Sequence, residues 1–319
     1  MMFLHESPEF LDLLAIAAAE RRLPQGLVEK DYWVTHTLWA LEESGLAVWF
    51  KGGTSLSKGY GLVERFSEDL DLKLEPGTTG LSPVTNWKSE GAAAVRERTA
   101  YFAALSKAIA VPGTTTTLDT REMDPSWRSA FIHVGYPGTF LHELDPAMRP
   151  YVLLEVGSAR VTPYLSRDMT SFVHDVVEAS GQLAAFVDNR PRGVRCVHPL
   201  VTLLEKLDAI SRRFPRDDLN AASFVRHYED AAHIIRESEK LPRLYGYGSV
   251  RALADEMLAE KQLRSVPVSH DPAFVLANGR RTDELHRAHQ AIAGMFWGER
   301  IPLAETGEAM RSWILQHLT

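Results

Sequence analysis

The chain has 319 residues, 45% hydrophobic and 24% charged, which excludes a disordered or fibrous protein and predicts a sizeable core in two domains, or in one with an extension. Its single cysteine, Cys196, excludes a disulfide framework and a cysteine-rich zinc site, and suits a reducing cytosol. The net charge of −7 argues against gripping nucleic acid by bulk charge; it sits mostly in residues 1–197, with 19 Lys and Arg against 25 Asp and Glu, whereas residues 198–319 carry 16 against 17.

No apolar run approaches the roughly 18–20 residues of a membrane span, and Glu6, Glu9 and Asp12 stand where a secretory signal would be positive. The expectation is an untargeted, cytoplasmic chain without a membrane partner. Leu11, Leu14, Ala15 and Ala18, then Leu27, Trp33, Val34, Leu38 and Leu41, recur at helical spacing and predict two helices, the second ending at Gly45. Glu29, Lys30 and Asp31, beside Tyr32 and Trp33, read first as a charge cluster on that helix's surface and second as a group able to approach an active site. Residues 47–50 read as a buried strand stopping at Lys51-Gly52-Gly53, residues 56–65 as a helix, and residues 70–74 as a strand closed by Pro76-Gly77.

Residues 92–110 predict a helix, and residues 114–118, 131–136 and 151–156 predict strands separated by turn-rich stretches. From His198 onward the pattern is helical, over residues 201–213, 222–239, 249–261, 282–297 and 307–317. Strands mixed with helices, then helices alone, predict an α/β or α+β lobe with a mixed sheet flanked by helices, followed by a mainly helical lobe. The boundary falls near residues 196–199.

The most informative pair is Asp69 and Asp71, one residue apart at the mouth of a strand. Alternation puts both carboxylates on one face, about 7 Å apart along the strand, a span divalent cations can bridge. By itself D-x-D also suits an amphipathic edge strand with a polar face. Its context is Gly53-Thr54, after a strand ending in Lys51, with fourteen residues between Thr54 and Asp69. This arrangement resembles nucleotidyltransferases of the DNA polymerase β superfamily, in which the turn holds triphosphate oxygens and the carboxylates hold Mg²⁺. Glu155, one charge within an apolar strand, is the candidate third carboxylate.

Four blocks narrow the resemblance: VEKDYW (residues 28–33), FKGGTSLSKGYGLVERFSEDLDL (50–72), LLEKLDAI (203–210) and VRHYEDA (225–231). In that order they resemble the signature blocks of the AbiEii/AbiGii toxin family, which includes the MenT-type toxins. The resemblance implies a nucleotidyltransferase lobe over residues 1–197 and a helical lobe over residues 198–319 that contributes Lys206 and Asp230 to the cleft. Gly53 and Thr54 match the phosphate-binding turn, Asp69 and Asp71 the metal ligands, Lys206 the lysine of the E-K block, and Asp230 the aspartate closing the R-H-Y-x-D block. Glu155 is placed by strand alignment. Glu229 departs from the Tyr or Leu that the family often has there.

The implied activity is Mg²⁺- or Mn²⁺-dependent transfer of a nucleoside monophosphate from an NTP to an acceptor hydroxyl, with release of pyrophosphate, by the toxin of a toxin–antitoxin or abortive-infection system. The preferred acceptor is the 3′ end of tRNA, and a separately encoded antitoxin is the expected partner. A protein hydroxyl as acceptor, or a non-catalytic NTP-binding module, are the rival readings. Lys51 and Arg65 either touch phosphates or flank the acidic site as counter-charges. Lys206 alternatively pairs with Glu205 or Asp208, and Asp230 with Arg226 four residues away. Arg212, Arg213, Arg216, Arg280 and Arg281 form basic clusters able to grip an RNA backbone. Phosphorylation of Ser67, two residues before Asp69, would place negative charge beside the metal site. A Walker A loop is missing, and His142-Glu143-Leu144-Asp145-Pro146 lacks the second histidine of a zincin.

Overall fold

A computed structural model describes residues 1–67, 69–121, 124–144 and 148–319; Glu68 and the Asp145-Pro146 pair noted above lie outside the described residues. The elements in chain order are α1 (Phe10–Arg21), α2 (Gln25–Glu43), β1 (Ala47–Lys51), a helical turn α3 (Gly52–Thr54), β2 (Asp69–Glu75), α4 (Ala92–Ala108), β3 (Thr115–Asp119), β4 (Ser129–Gly135) and β5 (Val152–Gly157). They continue with β6 (Tyr164–Arg167), α5 (Phe172–Ala179), β7 (Val194–Val197), α6 (Pro199–Arg213), α7 (Ala221–Arg236), α8 (Val250–Ala259), α9 (Pro272–Val275), α10 (Arg280–Ala291) and α11 (Leu303–His317). The chain forms two compact units: Met1–Gly59 with Ser67–Val161 and Leu165–Cys196, and Tyr60–Phe66 with Thr162–Tyr164 and Val197–Thr319.

The first unit is built on a mixed sheet of seven described strands in the order β3-β4-β5-β2-β1-β7-β6. β2 is central, antiparallel to β1 and parallel to β5. Its alternation is complete: Leu70, Leu72 and Leu74 are buried in the core, while Asp69, Asp71, Lys73 and Glu75 share the other, half-buried face. Leu72 and Leu74 stand opposite Phe50 and Val48 of β1 in the ladder, so one face of this strand pair is wholly apolar.

Helix α2 packs against α1, α5, β1 and β5, and every residue from Gly26 to Leu38 is buried. Its charges are therefore not a surface cluster, which corrects the sequence expectation. Burial makes an unpartnered charge costly, and each one is satisfied by a different chain segment. The Glu29 carboxylate accepts hydrogen bonds from the amides of Thr139 and Phe140, each at 2.9 Å. Lys30 Nζ donates to the Arg149 carbonyl at 2.6 Å. Asp31 accepts from the Phe172 amide at 2.9 Å and pairs with Lys58 Nζ at 2.6 Å. A helix that reads as amphipathic in sequence is thus a buried strut for three loops.

The helix expected over residues 56–65 does not form. Helical structure begins earlier, at Gly52, and continues from Ser55 as a π-type turn that ends at Gly59. Two glycines account for the stop: a Cβ at Gly59 would press on Cys196 Sγ at 3.0 Å, and Gly61 has φ of +62°. Tyr60–Phe66 then belongs to the second unit, where Arg65 bridges Phe296 and Phe66 N–H donates to the Met295 carbonyl. The turn-rich stretch before Cys196 holds β6, α5 and β7, elements of four to eight residues too short to show a period. One signal was available for α5, the Ser171 N-cap, whose Oγ accepts from the His174 amide.

In the second unit α7 packs against α6, α10 and α11. The buried faces are those the helical spacing predicts, with Leu203, Leu204, Leu207 and Ile210 on α6 and Phe224, Val225, Tyr228 and Ile234 on α7. Among the described residues no helix is long and apolar enough to cross a membrane.

Candidate active site

The end of β1 and the start of β2 are locked together. Gly52 has φ of +77°, open to glycine at little cost, and the Asp71 carboxylate occupies the space a side chain at Gly52 would need. The Thr54 hydroxyl donates to the Asp69 carbonyl at 2.8 Å. Gly53 and Thr54 are both buried in the helical turn. The turn expected to hold phosphate is therefore braced against the strand that carries the two aspartates.

Register brings the third carboxylate to them. Asp71 is the ladder partner of Glu155 on β5 and of Lys51 on β1, so Lys51, Asp71 and Glu155 form one row across three strands. Neighbouring strands lie about 4.8 Å apart. Asp69 shares that face one step along β2, and Arg149 Nη1 lies 3.2 Å from its Oδ1. The sequence did not single out Arg149.

Among the described residues no group of three or more His, Cys, Asp or Glu side chains forms a ready metal cage. Mg²⁺ does not ask for one: it keeps most of its waters and is usually bound by one or two carboxylates together with substrate phosphates. Hard oxygen donors on adjacent strands fit that demand, and Asp69, Asp71 and Glu155 are the residues that would supply them. Cys196 lies buried in the same unit with its thiol pushed up to about 12 by burial, which excludes it as a thiolate nucleophile near neutral pH.

The second unit gathers three more of the sequence candidates. Arg65 grips Asp230 with two hydrogen bonds, Nε to Oδ1 and Nη2 to Oδ2, both 2.7 Å, and Lys206 Nζ donates to Oδ2 at 2.7 Å. Asp230 is wholly buried. Burial opposes its ionisation, but the charges and hydrogen bonds of Arg65 and Lys206 outweigh this and hold its carboxyl far below the usual range. Two cations share this one carboxylate, and of their side chains that of Lys206, 10% exposed, is more accessible than that of Arg65, 4% exposed. The position where Glu229 departs from the resemblance has its own partner: Arg300 binds that buried carboxylate through two bonds of 2.6 and 2.8 Å, and Ile301 N–H adds a third.

The basic clusters are largely neutralised locally. Arg212 pairs with Asp208 at 3.5 Å, Arg216 with Asp218 at 3.0 Å and Arg281 with Glu284 at 2.7 Å. Lys51 is in the carboxylate row, whereas Arg65 is committed to Asp230. Sequence reasoning offered Asp230 the nearby Arg226, whereas the structure gives it Lys206 and Arg65, the latter beyond any local pattern at 165 residues' separation.

A sequence model of the family described as "Nucleotidyl transferase AbiEii toxin, Type IV TA system" matches residues 37–309. Comparison with curated proteins finds no match. Among solved structures, the crystal structure of JHP933 from Helicobacter pylori aligns over 92% of this chain and 94% of that one, at 11% identity and a TM-score of 0.31.

Proposed function

The chain belongs to the AbiEii nucleotidyl transferase toxin family of type IV toxin–antitoxin systems, and from that premise we propose that it transfers a nucleoside monophosphate from an NTP to the 3′-terminal hydroxyl of tRNA, in the cytoplasm, and so blocks translation. The observation that carries this reading is the row of Lys51, Asp71 and Glu155 across three strands, with Asp69 beside it on the same face.

In the reaction the acceptor oxygen attacks the α-phosphorus, the bond from that phosphorus to the α,β-bridging oxygen breaks, and pyrophosphate leaves. Mg²⁺ or Mn²⁺, when bound, supplies charge for the phosphate oxygens and acidifies the attacking hydroxyl. Asp69 and Asp71 hold it. Glu155, one strand over, serves the acceptor side and receives the hydroxyl proton. The amides at Gly53 and Thr54 cradle the triphosphate, with Lys51 adding a cation in the row of Asp71. Lys206, oriented by Asp230, is assigned to the triphosphate on its family block. Arg65 serves as the second counter-charge of Asp230 rather than as a phosphate ligand. A separately encoded antitoxin is the partner.

The test is incubation of the purified protein with total cellular RNA, Mg²⁺ and each NTP labelled at its α-phosphorus, with Asp71→Asn as control. Label in a tRNA-sized band, lost in the variant, is the expected result. Label on protein alone would move the acceptor to a protein hydroxyl. No label with any NTP would overturn the reading.

A further inference from the structure

The loop entering β5 carries a side chain that none of the sequence blocks names. The Arg149 guanidinium meets Asp69 at 3.2 Å, with the two side chains 38% and 34% exposed. An ion pair this wet shifts an equilibrium by no more than about fivefold, so a stronger ligand displaces it at little cost. The backbone of Arg149 is held much more firmly. Its carbonyl accepts 2.6 Å from Lys30 Nζ, and Lys30 is fully buried in α2. A hydrogen bond from a buried ammonium fixes that carbonyl, and with it the backbone of the loop, beside the start of β2.

We infer that Arg149 is a phosphate ligand of this site, released by the cation. In the metal-free protein its guanidinium neutralises Asp69. Once Asp69 ligates a divalent cation, the guanidinium is repelled and its planar donors turn to a phosphate oxygen. Lys30 acts as a positioning residue that keeps the Arg149 backbone beside the site throughout. The phosphate comes from the nucleoside triphosphate or from the acceptor strand. This inference rests on the reading of Asp69 and Asp71 as metal ligands.

Mn²⁺ binding followed by electron paramagnetic resonance, without nucleotide, separates the two. Wild type that binds no Mn²⁺, or binds it equally in Asp71→Asn, overturns the metal reading and this inference with it. Where wild type binds and Asp71→Asn does not, Arg149→Ala decides. It is expected to bind Mn²⁺ up to about fivefold more tightly, because Asp69 has lost its competitor. It should also bind a non-hydrolysable NTP at least tenfold more weakly if the triphosphate is the partner. If the acceptor strand is the partner, NTP affinity stays and KM for RNA rises at least tenfold. Arg149→Lys should recover part of either loss. Unchanged or weaker Mn²⁺ binding in Arg149→Ala, or unchanged affinity for both phosphates, overturns the inference alone.

Discussion

The Asp71 carboxylate rests against Gly52 in the space where any other residue would place its Cβ, which would collide with Asp71 Oδ2 and Cγ. Gly52 is thus the surface on which a proposed metal ligand is seated, as well as the residue that permits the turn.

Gly52→Ala is accordingly expected to lose activity out of proportion to stability. The positive φ alone costs about 1–2 kcal/mol for a non-glycine residue. Displacing Asp71 by about an ångström is expected to lower nucleotidyl transfer by about a hundredfold. Gly80 is the control, with φ of +78° and nothing within 4 Å of an added Cβ. Gly80→Ala should show a similar loss of thermal stability with activity kept. Equal activity of the two variants would show that Asp71 is free to readjust.

Removing Asp230 leaves Arg65 and Lys206 in a buried site without their shared carboxylate. Asp230→Asn should destabilise the protein by about 3–5 kcal/mol in urea unfolding. Lys206→Met should cost less, because the two-bond pair with Arg65 survives. The sign of the pH dependence follows from the depressed pKa of Asp230. Its stabilisation is complete above the ordinary carboxylate value and is lost only as pH falls below it, so Asp230 adds no slope between pH 5 and 8. A larger loss in Lys206→Met than in Asp230→Asn would contradict this ranking.

The same sign, in a higher pH window, applies to two buried histidines of the first unit. His36 and His174 both bond Asn189, which also donates to Tyr32. Burial lowers each pKa to about 4, with Pro112, His5 and His174 acting on His36, and Asn189, Arg190, Asp188 and Lys58 acting on His174. A histidine kept neutral in the fold but free to protonate near 6.5 when unfolded weakens the native state as pH falls from about 6.5 toward 4. At pH 5 each costs about 2 kcal/mol. These two rings are therefore expected to add about two protons to the uptake on unfolding at pH 5 relative to pH 7.5, read as the part of the slope of stability against pH that is lost when both are replaced by glutamine. No contribution from either ring would mean that both are already charged in the fold.

Glu29→Ala tests the reassignment of the charge run on α2. It strips two loop amides of their acceptor, a loss of about 2–3 kcal/mol, and should open residues 138–140 to protease. A surface carboxylate would change stability by less than about 0.5 kcal/mol.

The sequence by itself determined what is local. The two-residue repeat of β2 put Asp69 and Asp71 on one face, helical spacing marked the apolar faces of α6 and α7, and the change from mixed strands to helices revealed the fold class. The order of the four blocks pointed to the family. Tertiary structure decided what spans the chain: the register that sets Glu155 beside Asp71, the pairing of Arg149 with Asp69, and the two cations on Asp230. It also turned Glu29, Lys30 and Asp31 from an apparent surface cluster into buried anchors, and ended a predicted helix at Gly59. The physical reason is common to all of them. Periodicity reports how a segment alternates between water and core, whereas the partner of a buried charge is whichever group packing brings within about 3 Å, and no local pattern carries that information.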